Sequence, residues 1–276
     1  MVNSLTVDVE EWFHICGVSA LQPQTWSGLP SRVESTTRLL LEELAAADIL
    51  GTFFVVGWIA DRHPGLVSTI LAAGHEVGSH SFWHRRVYEL DRAEFASDLR
   101  ASVGALRAAG AVNVRSFRAP EWSITRHSEW ALEVLVEQGF QTDASMAPLK
   151  IVGDLSRPRG PYVRSTPAGS IVEIPPLVAD RFGQVVPMGW GWGLRMSTPA
   201  RVLNEIERAN QAGRPAVLTI HPWELDPDPP RVPLPPRLRF AHYFRLDGFL
   251  GRLRAILRGA SFAPLNAVTA RAGSGC

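Results

Sequence analysis

The stretch HEVGSHSFWH, His75 to His84, changes character halfway along. Its first half, His75 to Ser79, reads as a short strand entered through Gly74, with Val77 at its centre. Its second half is polar. His80 and His84 stand four apart, so that on a helical turn they project from one face and can grip one metal ion. A buried strand that turns abruptly polar at its C-terminal end is a unit the chain repeats, and that repetition decides the fold.

Upstream, TVDVEEWF (Thr6 to Phe13) is built the same way: the β-branched run Ser4 to Val9 gives way to Asp8, Glu10 and Glu11. Downstream, VLTIHPWE (Val217 to Glu224) ends the apolar strand Ala216 to Ile220 on His221. Between them, Gly51 opens the strand TFFVV, Val114 to Arg118 runs into Ala119-Pro120, and Phe140 to Asp143 forms another strand end. Helical periodicity fills the intervals. Arg32 to Ala47 places Val33, Leu39, Leu40 and Leu44 on one side, and Ile59 to Ala73 is interrupted by Pro64. Asp91 to Ala109 carries Asp91 as N-cap with Glu94 at the capping-box position, and Ser128 to Gln138, Pro199 to Gln211 and Phe249 to Leu257 follow. Strand alternating with helix at this interval predicts an α/β fold with a parallel β core made of βα units. Asp8, Glu10, His80, Arg118, Asp143 and His221 all fall at C-terminal strand ends, the face on which parallel α/β barrels assemble active sites. Residues 1–276 read as one catalytic domain, with an elaborated loop region at 147–195 and a C-terminal extension at 226–276. The extension opens on the extended, proline-rich DPDPPRVPLPP (Asp226 to Pro236).

The bulk composition fits such a domain and excludes other classes. The 276 residues are 46% hydrophobic, ample for a core, and 20% charged, with a formal net charge of +1 that offers no field for nucleic acid. The two cysteines, Cys16 and Cys276, give neither a disulfide framework nor a Cys-rich metal spacing, and Cys16 reads as a small buried hydrophobe. No basic-then-apolar leader precedes the first strand and no window is apolar over the roughly 18 residues a membrane span needs, so the expected location is cytoplasmic.

A hydrolytic metal site wants three N/O ligands and an open position. His80, His84 and one carboxylate from Asp8-Val9-Glu10 supply that set. Asp8 and Glu10 share one face of a strand, so one can bind metal while the other serves as a base. His14 is a rival ligand. His221, with an ordinary pKa near operating pH, suits a general acid, and Arg118, if buried, needs a carboxylate partner, for which Asp8 is the nearest in kind. Nine tryptophans crowd the polar motifs, and of these Trp122 and Trp192 are singled out as substrate contacts, suited to stacking on sugar rings.

The set resembles the NodB-type polysaccharide deacetylases of carbohydrate esterase family 4. Asp8-Val9-Glu10 resembles the first family motif, SHSFWH the second, FRAPEW (Phe117 to Trp122) the third, TDAS (Thr142 to Ser145) the fourth and LTIH (Leu218 to His221) the fifth. DVEEWFH, HPWE and AHYFRLDGFLGRL (Ala241 to Leu253) are similar to the branch associated with exosortase and exopolysaccharide loci. The resemblance implies a distorted (β/α)7-type barrel and metal-dependent removal of an N-acetyl group from an amino sugar. Carried over, Glu10, His80 and His84 hold one divalent ion, with zinc the default and cobalt, nickel or iron the alternatives. Asp8 is the base, Arg118 positions Asp8, His221 is the acid and Asp143 orients His221. Two departures stand out: the acids of the first motif are separated by Val9 and the second is a glutamate, and Glu121-Trp122 alters the third motif. The expected partner is an N-acetylated sugar, whether saccharide, lipid-linked glycan or glycosylated small molecule, with no nucleic acid. Rival readings are an amidohydrolase that opens a cyclic imide or ureide on the same scaffold, and a catalytically silent carbohydrate-binding protein.

Overall fold

Strand β1 (Asn3–Val9) is buried along its whole length and is flanked by strands from opposite ends of the chain. The structure, a computed structural model, describes residues 1–150 and 152–272. After β1 come α1 (Val33–Ala46), β2 (Thr52–Val55), α2 (Gly57–Arg62), α3 (Pro64–Ala72), β3 (Glu76–Ser79), α4 (Arg92–Ala108), β4 (Ser116–Phe117), α5 (Trp130–Glu137) and β5 (Thr142–Asp143). The second half adds β6 (Tyr162–Thr166), β7 (Gly169–Glu173), β8 (Val178–Arg181), β9 (Gln184–Pro187), α6 (Gly191–Met196), α7 (Pro199–Gln211), β10 (Val217–Ile220), α8 (Pro236–Tyr243), α9 (Phe249–Gly259), β11 (Phe262–Ala263) and α10 (Leu265–Ala272).

The main sheet runs β10-β1-β2-β3-β4-β5-β7-β6, with β11 also paired to β1. Seven of these strands, β10 through β7 in that order, are mutually parallel, in keeping with the seven-unit α/β architecture. Just past β7, the Leu177 N–H donates to the Val217 carbonyl of β10 at 3.0 Å, and Thr219 N–H donates to the Gly189 carbonyl. Backbone therefore links the two ends of the parallel run. β1 and β2 are buried throughout, as continuous apolar runs in a parallel sheet should be.

Local chemistry starts the helices where the sequence places them. Asp91 accepts the Glu94 N–H and Glu94 accepts the Asp91 N–H, the reciprocal capping box expected for α4. Thr198 caps α7 ahead of Pro199 at its first position. Pro64 divides the Ile59–Ala73 region into two helices, α2 and α3.

Three features differ from expectation. The 147–195 region carries two hairpins, β6–β7 and β8–β9, and the aromatic-glycine stretch enters a helix, α6. β4 and β5 are two residues each, too short for alternation to register. The histidine pair is not on a helical turn. His80 follows β3 directly and His84 sits in a loop at φ 50°, with Ser81 at φ 65°. Cys276 lies outside the described residues.

Candidate active site

The acidic and histidine motifs meet at the C-terminal ends of β1, β3, β4 and β10. Glu10, one residue past β1, places Oε1 2.9 Å from His80 Nε2 and 3.0 Å from His84 Nε2. Asp8, still on β1, places Oδ1 2.8 Å from Arg118 Nη1 and Oδ2 3.8 Å from His221 Nε2. The period-two geometry of β1 puts both carboxylates on one face, as the sequence implied.

The loop between the histidines is held from behind. Asp98, on the buried side of α4, accepts the N–H groups of Phe82 (2.8 Å) and Trp83 (3.1 Å). The Ser81 and Phe82 carbonyls accept from Gly57 and Trp58 at the start of α2. Gly57 is required there, since a Cβ would meet the Phe82 ring at 2.6 Å and the Ser102 backbone at 2.8 Å. With Ser81, His84, Glu121 and Trp122 all at positive φ, backbone strain concentrates in the loops that carry the site. Asp98 is missed by motif reading; its signal is a lone acid among Phe95, Leu99 and Leu106 on the apolar side of α4.

The protonation pattern shows what these residues can hold. His80 Nδ1–H donates to the Arg118 carbonyl at 2.7 Å, which leaves Nε2 to present its lone pair to a carboxylate oxygen. At His84 the Cys16 thiol donates to the His84 carbonyl (3.2 Å) and lies 3.6 Å from Nδ1. Cys16 is thus a partner of the second histidine as well as a small buried residue. Two lone-pair nitrogens and a carboxylate oxygen about 3 Å apart repel unless a cation lies among them, either a proton or a metal ion. The electrostatics agree. Burial works against the charge on Glu10, but His84 and His221, with hydrogen bonds from both ligand histidines, hold its carboxyl well below the usual range. Burial likewise opposes a charged His84, and Glu10 beside it outweighs that, raising the imidazole well above its ordinary value. Glu10, His80 and His84 therefore fit a divalent ion. Glu11 does not join them, because its carboxylate accepts from Ser31 and from the Arg32 and Val33 N–H groups at the start of α1. His14 accepts from Glu11 N–H and stacks on His84 without entering the ligand set.

Arg118 is fully buried and held through Nη1 and Nε, while Nη2 has no hydrogen-bond partner among the described residues. Nη1 donates to Asp8 and to Thr6 Oγ1 (2.7 Å), Nε donates to the Ala144 carbonyl (3.0 Å), and the guanidinium lies over Phe54 and Trp122. Asp8 is its carboxylate partner, as expected.

His221 has a different partner from the one expected. Its Nδ1–H donates to Glu224 Oε2 at 3.0 Å, and Arg195 Nε pairs with the other Glu224 oxygen at 2.8 Å. Asp143 instead faces Glu173 across the β5–β7 pair and accepts from Ser145. Burial raises both carboxyls, and the charge of Asp143 beside it pushes Glu173 well above its ordinary value. Glu224 is three residues from His221 on the same turn, where a side-chain contact costs little. Burial lowers the His221 imidazole, but the charges of Glu10, Glu224 and Asp8 outweigh it and raise it to about 9.

Of the two tryptophans expected at the substrate, Trp122 stacks on Trp190 with centroids 5.1 Å apart and is mostly buried. Trp192 packs edge to face on Phe240 of α8. The structure thus brings Trp190, and not Trp192, to Trp122. A cavity of about 560 Å³ opens beyond the far side of His84, lined by Cys16, Gln22, Trp26, Trp83 and Arg85 among others.

Residues 25–142 match the family profile described as polysaccharide deacetylase, and residues 144–270 match a domain of unknown function. Residues 25–142 are by this match a NodB-type polysaccharide deacetylase domain. Similar solved structures include a Mycobacterium smegmatis protein described as a polysaccharide deacetylase: 22% identical, covering 99% of this chain and 92% of that one, TM-score 0.63. A Pseudomonas aeruginosa PAO1 protein described likewise is 16% identical over 99% and 90%, TM-score 0.61. The PuuE allantoinase is 17% identical over the same shares, TM-score 0.62. These three share the fold. No helix among the described residues is long and apolar enough to cross a membrane.

Proposed function

We propose that the protein is a metal-dependent N-deacetylase that hydrolyses the acetamide of an N-acetylated amino sugar to free amine and acetate. The observation that carries this reading is the convergence of His80 Nε2, His84 Nε2 and Glu10 Oε1, with Asp8 and His221 beside them. When bound there, a divalent ion supplies Lewis acidity, making water a nucleophile near neutral pH and polarising the acetamide carbonyl. Zinc is the default for this N/O donor set.

The chain's own residues do the rest. Arg118 keeps Asp8 aimed into the site with two polar groups on one guanidinium nitrogen, and Asp8 takes the proton of the attacking water. His221, charged below about pH 9, holds a proton on Nε2 for the departing amine, which leaves poorly unless protonated. Trp122, between Trp190 and the Arg118 guanidinium, and Trp223, beside the His221 ring, are buried against the residues of the site. Residues 1–276 act in this reading as one catalytic unit, since His80 and His84 lie in the first profile match, 25–142, and His221 in the second, 144–270.

A second reading has its own support. Asp8, Glu10, His80 and His84 are each less than a tenth exposed, and so enclosed a centre also suits a small cyclic amide, opened by the same acid and base.

The test is acetate release from a panel of N-acetylated sugars by metal-loaded protein, with Asp8→Asn as control. Release that Asp8→Asn lowers on the order of 10²–10⁴-fold, and that chelator abolishes, supports the deacetylase. Turnover of a cyclic ureide or imide, with no acetate from any sugar, replaces it with the ring-opening reading.

A further inference from the structure

Arg195 is a buried arginine far along the chain from every family motif, and all its bonds lead to His221 or to α8. Nη1 donates to the Phe244 carbonyl at 2.7 Å and the His242 carbonyl at 3.2 Å, and Nη2 donates to the Ala241 carbonyl at 2.6 Å. Nε pairs with Glu224 at 2.8 Å. Glu224, fully buried, uses its second oxygen to accept both the His221 ring Nδ1–H and the His221 backbone N–H. Trp223 seals the same contact, stacked on His242 at 4.3 Å. Space was kept for this carboxylate: a Cβ on Gly191 would lie 2.1 Å from Glu224 Oε1.

A buried ion pair that only tied α6 to the turn after β10 would have no need to end on an imidazole. Here the carboxylate is a bridge, one oxygen on the guanidinium and one on the ring nitrogen remote from Asp8. Its position fixes the tautomer of His221 and the direction in which Nε2 points. The guanidinium is itself fixed by carbonyls at the C-terminal end of α8, so the last turn of that helix sets the position of the imidazole through two side chains.

We infer that Arg195 and Glu224 are positioning residues for His221, and that the region matching a domain of unknown function serves to build this clamp. The inference rests on His221 acting as the acid. Amide hydrolysis needs a proton delivered to its leaving group, whereas a nitrophenyl ester, whose phenolate leaves unaided, does not.

The test compares wild type, Glu224→Gln, Arg195→Lys and Arg195→Met in two ways. Kinetics are measured on an N-acetylated sugar amide and on 4-nitrophenyl acetate. The His221 ring Nδ1–H resonance is followed by NMR and assigned by its loss in His221→Ala. The expected result is a fall in amide kcat on the order of 10²–10³-fold in Glu224→Gln and Arg195→Met. Ester turnover should stay within about threefold with KM unchanged, and Arg195→Lys should recover part of the amide loss because it restores the charge beside Glu224. The downfield proton should vanish in Glu224→Gln and shift in both Arg195 variants. Equal losses on amide and ester, or an unmoved resonance, overturn the clamp. If Arg195→Met does not fold, the near-isosteric Glu224→Gln and the charge-keeping Arg195→Lys decide. If wild type hydrolyses no amide, the deacetylase reading fails by itself, while the presence or absence of the Glu224-dependent resonance still decides whether the clamp exists.

Discussion

A single oxygen of Glu10 serves two imidazoles, so Glu10 is the residue whose chemistry is least replaceable. Glu10→Gln keeps the size but turns an anionic acceptor into a neutral amide, and among the described residues no other carboxylate lies against both His80 and His84. The expected outcome is divalent-metal affinity weakened by more than the roughly 10–100-fold that outer partners of a ligand cost. Equilibrium dialysis with zinc checks it, and unchanged affinity would move the ligand role to another carboxylate. Spacing made part of this site legible. Asp8 and Glu10 share a strand face by period alone, Arg118 ends a short strand, and His221 ends an apolar run. What spacing could not show was where the side chains find partners. Glu11 is chemically as good a ligand as Glu10, and only the position of the α1 N-terminus turns it aside. Asp143 and Glu224 both sit near the polar end of the sheet, and the choice between them for His221 depends on β7 bringing Glu173 to Asp143. That pairing involves a hairpin the sequence did not announce.

Among the elements, α8 carries an imidazole that couples stability to pH. His242 lies at its C-terminal end, where burial, and then the charge of Arg195, lower its imidazole to about 4. The folded state therefore refuses a proton that the unfolded chain accepts at about 6.5. Its contribution to stability is complete above that value, falls as the pH drops, and is lost by about pH 4, a difference of roughly 3 kcal/mol. His242→Phe removes the titrating group and keeps the stack on Trp223. The variant should lose less melting temperature across this window than the wild type, its remaining decline belonging to His14 and His75, whose imidazoles burial also lowers; parallel declines would place the acid sensitivity outside α8. Helices α4 and α7 were readable, since each carries a cap and an apolar stripe. β4 and β5 were visible only through the polar residues at their ends, because two-residue strands have no period. α6 was hidden by the glycines of GWGWG, which oppose helix by propensity. Tertiary packing overrides that preference, with Gly191 lying against Glu224 and Gly193 against the Met188 backbone.

At the scale of the molecule, the sheet takes β1 to β5 from the first half of the chain and β7 and β10 from the second. A fragment ending at Asp143 would keep Glu10, His80 and His84 but lose β10, which covers one edge of β1, and with it His221. Such a fragment is expected to lack cooperative unfolding in circular dichroism. Co-expression with residues 144–276 should restore both a melting transition and activity if the halves are one folding unit. A sharp transition from the fragment alone would make them two domains. The alternation of strand and helix announced a parallel sheet, but not which strands neighbour β1, because strand order is written in contacts that no local window contains.

β1 pairs Ser4 with Val217 and Asn3 with Phe262. Once synthesised, β1 therefore waits for partners made more than two hundred residues later. At translation speeds of about 5–20 residues per second, that wait is on the order of 10–50 s. Throughout it, an apolar strand carrying half of the reaction centre has one edge unpaired, open to the wrong neighbour. Yield in the cell should then be governed by the pace of synthesis and by chaperones that shield nascent strands as much as by the stability of the finished fold.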